Sequence, residues 1–120
     1  MARYTIVVLS NPVDGREEEY NQWYDTVHIP ELVALPGVRS ARRLRLADDR
    51  YAACDHRYLV VYECDFASPD EGWAIFDQAR AEGRSHSSDA MDTASTKAWF
   101  FEEIDHLNSS GGISVELRDE

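Results

Sequence analysis

The order of strand-like and helix-like segments limits the possible folds of this chain more than any other feature of its sequence. Three short runs are rich in β-branched and aromatic residues and are typical of strands: 3–10, 57–66 and 96–104. A fourth run, 38–49, alternates imperfectly and also predicts a strand. Two longer runs have helical spacing or helix-start signals: 16–28 and 68–83. The resulting order, β-α-β-β-α-β, predicts an α+β, ferredoxin-like domain with an antiparallel sheet.

Two helices can cover only one face of a four-stranded sheet. The strand-like runs place apolar side chains on both faces, so the second face needs a cover. A second copy of the chain is the simplest cover, and we therefore expect a homodimer. We expect the folded domain to span residues 1–106, and the polar residues 107–120 to form a tail that is flexible or adds a strand to a neighbour.

The first helix-like run carries an aromatic face and then meets a proline. The apolar and aromatic positions of this face recur at helical spacing: Tyr20, Trp23, Tyr24, Val27 and His28. Pro30 has no N–H group, and its ring clashes with the carbonyl four residues earlier. The pattern therefore predicts that the helix ends or kinks near His28, and that Pro30 opens a short second helical turn.

The charge of the chain excludes some classes of partner. The formal net charge is −11, from 23 acidic against 12 basic residues. Binding to nucleic acid or to an anionic membrane needs clustered Lys and Arg, so neither partner is expected. No run approaches the roughly 20 apolar residues of a membrane span, and the start lacks the features of a secretory signal. We expect a cytoplasmic protein.

The cysteines and histidines do not form a recognisable metal or disulfide pattern. Cys54 and Cys64 fit neither a disulfide framework nor a CxxC site. None of the four histidines has a histidine partner three or four residues away. We therefore expect no metal and no cofactor.

One stretch of the sequence resembles a known family. The segment "WYDTVHIPE" contains an aromatic pair, then His and Pro, and "PGV" later leads into the second strand. The chain resembles the EthD-like dimeric α/β-barrel proteins in this motif, which lies within residues 20–45, and in the order of its strands and helices. The resemblance implies a homodimer whose two sheets close into a barrel, with a small hydrophobic ligand bound between the helices and the sheet of each subunit.

The resemblance also implies a choice of reactions. The superfamily includes cofactor-free isomerases, polyketide cyclases, quinone-forming monooxygenases and haem-degrading enzymes, so the fold alone does not select one. We expect a cofactor-independent enzyme of the lyase, isomerase or cyclase type that acts on a small hydrophobic or aromatic carbonyl compound. A cofactor-free, quinone-forming monooxygenase and a non-catalytic ligand-binding protein are the alternatives.

His28 is the candidate catalytic residue. Histidine titrates near neutral pH and is the usual general acid or base, Tyr24 can donate a hydrogen bond to a carbonyl oxygen, and Asp25 can orient the imidazole. From local sequence alone, a histidine at a helix end more often satisfies the last carbonyls and opposes the helix dipole. The resemblance favours the catalytic interpretation, because it implies a histidine at the cleft.

Aromatic side chains are candidates for the substrate-binding wall. We expect them to line a pocket for a ring-shaped molecule, although aromatic residues at these spacings also form ordinary cores. The candidates are Trp23, Tyr62, Trp73, Phe76 and Trp99.

Overall fold

The computed structural model of the protein describes residues 2–104, which form one antiparallel sheet with helices on one face. The strands are β1 (Ala2–Ser10), β2 (Val38–Arg45), β3 (Tyr58–Phe66) and β4 (Lys97–Glu102). The helices are α1 (Glu17–Trp23), a π-helical turn (Tyr24–His28), α2 (Ile29–Val33) and α3 (Pro69–Ala81). The strand order β2-β3-β1-β4, with antiparallel neighbours throughout, confirms the predicted ferredoxin-like fold. The predicted tail, 107–120, lies outside the described residues.

Strand β3 separates the two faces of the sheet. Its alternate residues Tyr58, Val60, Tyr62, Cys64 and Phe66 are buried beneath the helices. Their partners on β1 lie on the same face, because residues directly opposite in an antiparallel pair point to the same side. This face and the helices enclose the hydrophobic core.

The first helical segment changes its type at the predicted place: a π-helical turn ends at His28, and Pro30 lies in the first turn of the short α2, without the gap in the helix that the sequence left possible. The chain changes from α-helix to a π-helical turn at 24–28, where the Ile29 N–H donates to the Tyr24 carbonyl oxygen, and α2 follows directly. A π turn contains one more residue per hydrogen-bonded ring, which relieves the contact between the Pro30 ring and the preceding turn. The proline therefore changes the type of helix instead of ending it.

Helix α3 begins at a well-formed cap and packs closely on the sheet. The Ser68 Oγ accepts a hydrogen bond from the Glu71 N–H at 3.1 Å, and Pro69 occupies the first turn. A Cβ atom added at Gly72 would lie 2.8 Å from the Phe66 ring, so only glycine allows this approach without a shift. The close approach holds the side chains of α3 directly over the centre of the sheet.

The second face of the sheet has no helix over it in the described part of the chain. Trp99 and Phe101 point from β4 to this side and are 45% and 55% exposed. Leu44 of β2 is also exposed there. No helix within residues 2–104 is long and apolar enough to cross a membrane.

Candidate active site

A cavity of about 130 Å³ lies between the helices and the covered face of the sheet. An apolar cavity of about 150 Å³ accommodates benzene, so the space suits one aromatic ring. Short apolar residues of β1 and β4, together with Ser85, form one part of the cavity wall. The other part consists of larger side chains: His28, Leu32, Tyr62, Trp73, Phe76 and Arg80. Four of these, His28, Tyr62, Trp73 and Phe76, are among the predicted site residues.

The ring of His28 is held between two aromatic side chains. It stacks on Trp23 with ring centroids 4.5 Å apart and planes inclined by 21°. Tyr24 meets it edge-on at 5.2 Å. The Nδ1 atom of His28 is buried and has no hydrogen-bond partner within residues 2–104. The π turn and its aromatic neighbours thus direct an unpaired imidazole into the cavity wall.

The surroundings of His28 keep its imidazole neutral. Burial lowers the pKa of His28 from 6.5 to about 4, because the charged ring would lose its hydration. The positive charge of Arg80 lowers this pKa further, whereas the Glu31 carboxylate opposes the shift. At neutral pH the ring is therefore uncharged and able to accept a proton.

Tyr62 places a second unpaired polar group at the cavity. Its hydroxyl is buried and has no hydrogen-bond partner in the described part of the chain. Burial also raises the pKa of Tyr62 well above 10, so the phenol keeps its proton and remains a donor. Buried polar groups are nearly always hydrogen-bonded, so an unpaired hydroxyl on a residue that lines the cavity is a candidate donor to a ligand bound there.

The structure does not bring the Tyr24 hydroxyl to the cavity. Tyr24 is 1% exposed, and its hydroxyl lies 3.5 Å from the Ser10 Oγ and 4.0 Å from the Met91 sulfur. The Ser10 hydroxyl in turn contacts the Tyr20 hydroxyl at 2.5 Å. The Tyr24 hydroxyl thus contacts Ser10 and Met91 away from the cavity, while its ring packs against the imidazole.

Asp25 does not orient the imidazole either. Its carboxylate accepts a hydrogen bond from the Arg43 guanidinium at 3.0 Å, on the exposed side of the π turn. The His28 Nδ1 atom, the expected contact of Asp25, has no partner in residues 2–104. Asp25 points toward β2, where Arg43 holds its carboxylate.

The predicted aromatic residues occupy three different places. Trp73 and Phe76 line the cavity, whereas Trp23 lies behind His28 and donates its indole N–H to the His86 carbonyl oxygen at 3.1 Å. Trp99 lies on the other face of the sheet, so it does not line this cavity. Its neighbour Phe100 points toward the helices, and the two-residue period of a strand then directs Trp99 away from them.

Six lining residues are absent from the predicted set: Ile6, Val8, Leu32, Arg80, Ser85 and Ala98. The sequence does contain a signal for Arg80, which follows Trp73 by seven residues and Phe76 by four and so shares their helical face. Ser85 lies in the loop after α3, and no local pattern locates that loop.

Comparisons with known proteins support the fold. The sequence matches no protein-family model and no curated protein sequence. The structure is similar to the crystal structure of an ethyl tert-butyl ether D (EthD) family protein from Bacillus halodurans C-125. The TM-score is 0.61 at 17% identity, over 87% of this chain and all of that one. This chain has an EthD-like fold. The low identity limits the likeness to the fold, so residue roles rest on the geometry described above.

The loop that brings Ser85 to the cavity is fastened to the first helical segment of the EthD-like fold. The Glu31 carboxylate of α2 accepts a hydrogen bond from the His86 N–H at 2.8 Å, and its other oxygen lies 2.5 Å from the His86 Nδ1. The bond from Trp23 to the His86 carbonyl adds a third contact. We call this group of contacts the His86 latch.

Acidic, histidine and cysteine side chains are not clustered at the cavity. Within residues 2–104, no three of them lie close enough together to hold a metal ion.

Proposed function

We propose that this protein is a cofactor-independent enzyme that binds one small aromatic carbonyl compound in the cavity and moves a proton on it. The observation that carries the proposal is the pair of buried, unpaired polar groups in an otherwise mostly apolar wall. The neutral imidazole of His28 is a proton acceptor, and the protonated phenol of Tyr62 is a hydrogen-bond donor.

These two groups suit proton abstraction next to a carbonyl group. The His28 imidazole takes a proton from the carbon α to the carbonyl, and the electron pair of the broken C–H bond moves to the carbonyl oxygen. Tyr62 donates a hydrogen bond to the enolate oxygen that forms. Return of the proton from the imidazolium to a different carbon gives an isomerase, loss of a β-substituent gives a lyase, and attack on a second carbonyl group gives a cyclase.

The aromatic wall orients the ring of the substrate. Trp73 and Phe76 lie 6.2 Å apart in an edge-to-face arrangement on α3 and present apolar surface to the cavity. Aromatic surfaces favour stacked or edge-on contacts with another ring. The Tyr62 hydroxyl is itself buried, and low polarity around it strengthens its hydrogen bond to a developing negative charge.

One observation favours a ligand-binding protein without turnover as the second candidate. An imidazole with a pKa of about 4 is a weaker base than an ordinary histidine, and proton abstraction from carbon slows as the base weakens. In a binding protein, the same imidazole would only hydrogen-bond the ligand. The two candidates differ in turnover and not in the cavity.

Deuterium exchange distinguishes the candidates even when the natural substrate is unidentified. A panel of single-ring ketones and aldehydes with an α C–H bond is incubated with the protein in D₂O, and loss of the α-proton signal is followed by NMR. The native protein is expected to accelerate exchange of at least one compound. His28→Gln should lower the rate by about 10²–10⁴-fold, and Tyr62→Phe by about 10²–10³-fold.

Tyr51→Phe provides the matched control, because Tyr51 is fully exposed and does not line the cavity. Binding without exchange would favour the ligand-binding protein. Exchange that persists in His28→Gln would contradict the role of His28. Oxygen uptake with phenolic compounds would indicate the quinone-forming monooxygenase instead.

A further inference from the structure

Among residues 2–104, the cavity wall contains one permanently charged side chain. Arg80 lines the cavity on the same face of α3 as Trp73 and Phe76. An arginine carries its charge at every pH at which proteins are folded. The other lining groups are apolar, hydroxyl-bearing or, in the case of His28, neutral above a pKa of about 4. Arg80 therefore places a positive charge at the cavity wall, although the whole chain carries a net charge of −11.

The present partner of Arg80 holds it only loosely. The Arg80 Nη1 lies 3.2 Å from the Asp77 Oδ1, and the two side chains are 59% and 71% exposed. Exposed pairs of this kind, one turn apart on a helix, contribute little to stability and exchange easily. A guanidinium has five N–H donors in a planar fork, so Arg80 can bind a carboxylate with two parallel hydrogen bonds while its stem lies against the aromatic wall.

The charges around the mouth of the cavity do not neutralise Arg80. Glu31, the acidic residue whose charge acts on His28, already accepts two contacts from His86. Arg84, which follows in the loop, pairs with Glu82 at 2.7 Å. Arg80 is therefore available to pair with an anion at the mouth, because it lines the cavity and has no buried partner in the described residues.

We infer that the compound taken by this cavity is an aromatic carboxylate, with its ring against Trp73 and Phe76 and its carboxylate paired to Arg80 at the mouth. This inference rests on the proposed function and narrows its substrate class. The same positive charge would stabilise negative charge that develops on the substrate near His28.

Benzoate and benzamide test the inference, because they share one shape and differ in charge. Each is titrated into the protein at low ionic strength, and binding is followed by NMR through the indole signal of Trp73 and the imidazole signals of His28. The native protein should bind benzoate about 3- to 30-fold more tightly than benzamide. The preference should shrink as ionic strength rises from about 0.01 M to about 1 M, because salt screens the pair.

Variants at two arginines separate a specific pair from a general charge effect. Arg80→Gln should remove the preference and leave the affinity for benzamide within about twofold, whereas Arg80→Lys should keep part of it. Arg84→Gln removes the same charge from a nearby residue that does not line the cavity, and should keep the preference.

Equal affinities in the native protein, or a preference that persists in Arg80→Gln, would overturn the inference. Binding of benzamide alone would leave the proposed function standing and remove only the carboxylate. Failure of both probes to bind up to their solubility limits would overturn the inference and the aromatic ligand class of the proposed function together. Shifts centred on Arg43 and not on Trp73 would place the anion elsewhere and also overturn it.

Discussion

Both faces of the sheet carry large aromatic side chains, but the helices of residues 2–104 cover only one of them. On the covered face, Phe66 is 1% exposed and packs against Phe76 and Phe100. On the open face, Phe101 is 55% exposed, although it adjoins Phe100 in the same strand. The register of a strand, and not the type of residue, therefore decides whether an aromatic side chain belongs to the core, to the site or to an uncovered surface.

The two faces also differ in the polar groups that they hold. The covered face brings Tyr62 to a cavity where the π-helical turn contributes His28 and α3 contributes Arg80. The open face holds charged and hydroxyl groups that pair with each other, such as the Thr5 Oγ1 and the Glu63 Oε1 at 2.9 Å. Unpaired polar groups at a cavity suit binding of a ligand, and an exposed apolar surface suits contact with another protein surface.

The largest expected effect is a loss of stability when a phenylalanine of the covered face is replaced by alanine. The same replacement on the open face is the comparison. Phe66→Ala should lower the free energy of unfolding by about 3–5 kcal/mol, because it leaves a hole in the core. Phe101→Ala should lower the stability of the subunit itself by less than about 1 kcal/mol, because most of that side chain is already exposed. Urea unfolding at several protein concentrations measures both and separates any effect on association. Equal losses at low concentration would show that the faces do not differ.

The pH dependence of stability sharpens the comparison on the covered side. The pKa of His28 is about 4 in the folded protein and 6.5 for an unperturbed histidine, so the unfolded chain binds the proton more readily. The neutral His28 ring therefore makes its full contribution to the free energy of unfolding above pH 6.5. This free energy falls by up to about 3 kcal/mol as the pH is lowered from 6.5 toward 4. Urea unfolding of the native protein and of His28→Gln at pH 7 and pH 4.5 measures how much of the loss of stability is due to His28. A stability difference between the two proteins that does not change with pH would contradict the burial of His28.

The sequence predicts a homodimer in which a second copy of the chain covers the open face. If a second copy covers this face, light scattering should give twice 13.7 kDa for the native protein. Phe101→Asp should then weaken association by at least about 10- to 100-fold, because it places a charge within an apolar contact. Tyr51→Asp, a change at a fully exposed loop residue, should keep the dimer. A native protein that remains a monomer at micromolar concentrations would refute the prediction.

The smallest effect concerns the His86 latch. Glu31→Gln removes the charge that pairs with His86 and should weaken the hold on the loop that carries Ser85. Amide hydrogen exchange at 85–87 is expected to accelerate by about 5- to 30-fold, with little change in global stability, because the latch fastens one loop and not the core. Glu102→Gln on β4 is the control. Unchanged exchange in Glu31→Gln would show that the loop is held by other contacts.

The sequence predicts the fold well because each element carries its own signals. The alternation in 57–66 and the cap at Ser68 are local, and the order of elements then leaves few topologies open. Pro30 shows the limit of such rules. The rule for proline describes a clash within an α-helix, and it does not consider that a π turn can accommodate the ring.

The site is harder to predict because it depends on contacts between distant elements. Three consecutive aromatic residues, 99–101, carry no sign of which one points toward the helices, so the sequence does not exclude Trp99 from the pocket. The sequence favours Tyr24 as the donor, because it lies one helical turn before His28, and it gives Tyr62 only as a candidate for the aromatic wall. Only the packing of Tyr24 against Ser10, and the absence of a partner for Tyr62 in the described residues, separate them.

NMR of the His28 imidazole tests the central claim, that a neutral and unpaired His28 faces the ligand cavity of the covered face. With ¹⁵N-labelled histidine, the ring nitrogens of His28 are followed from about pH 5.5 to about pH 8, with and without benzamide. Since the pKa is about 4, we predict a neutral ring over this whole range and a shift of its signals when benzamide binds. A titration centred near pH 6.5 that benzamide does not affect would contradict the claim.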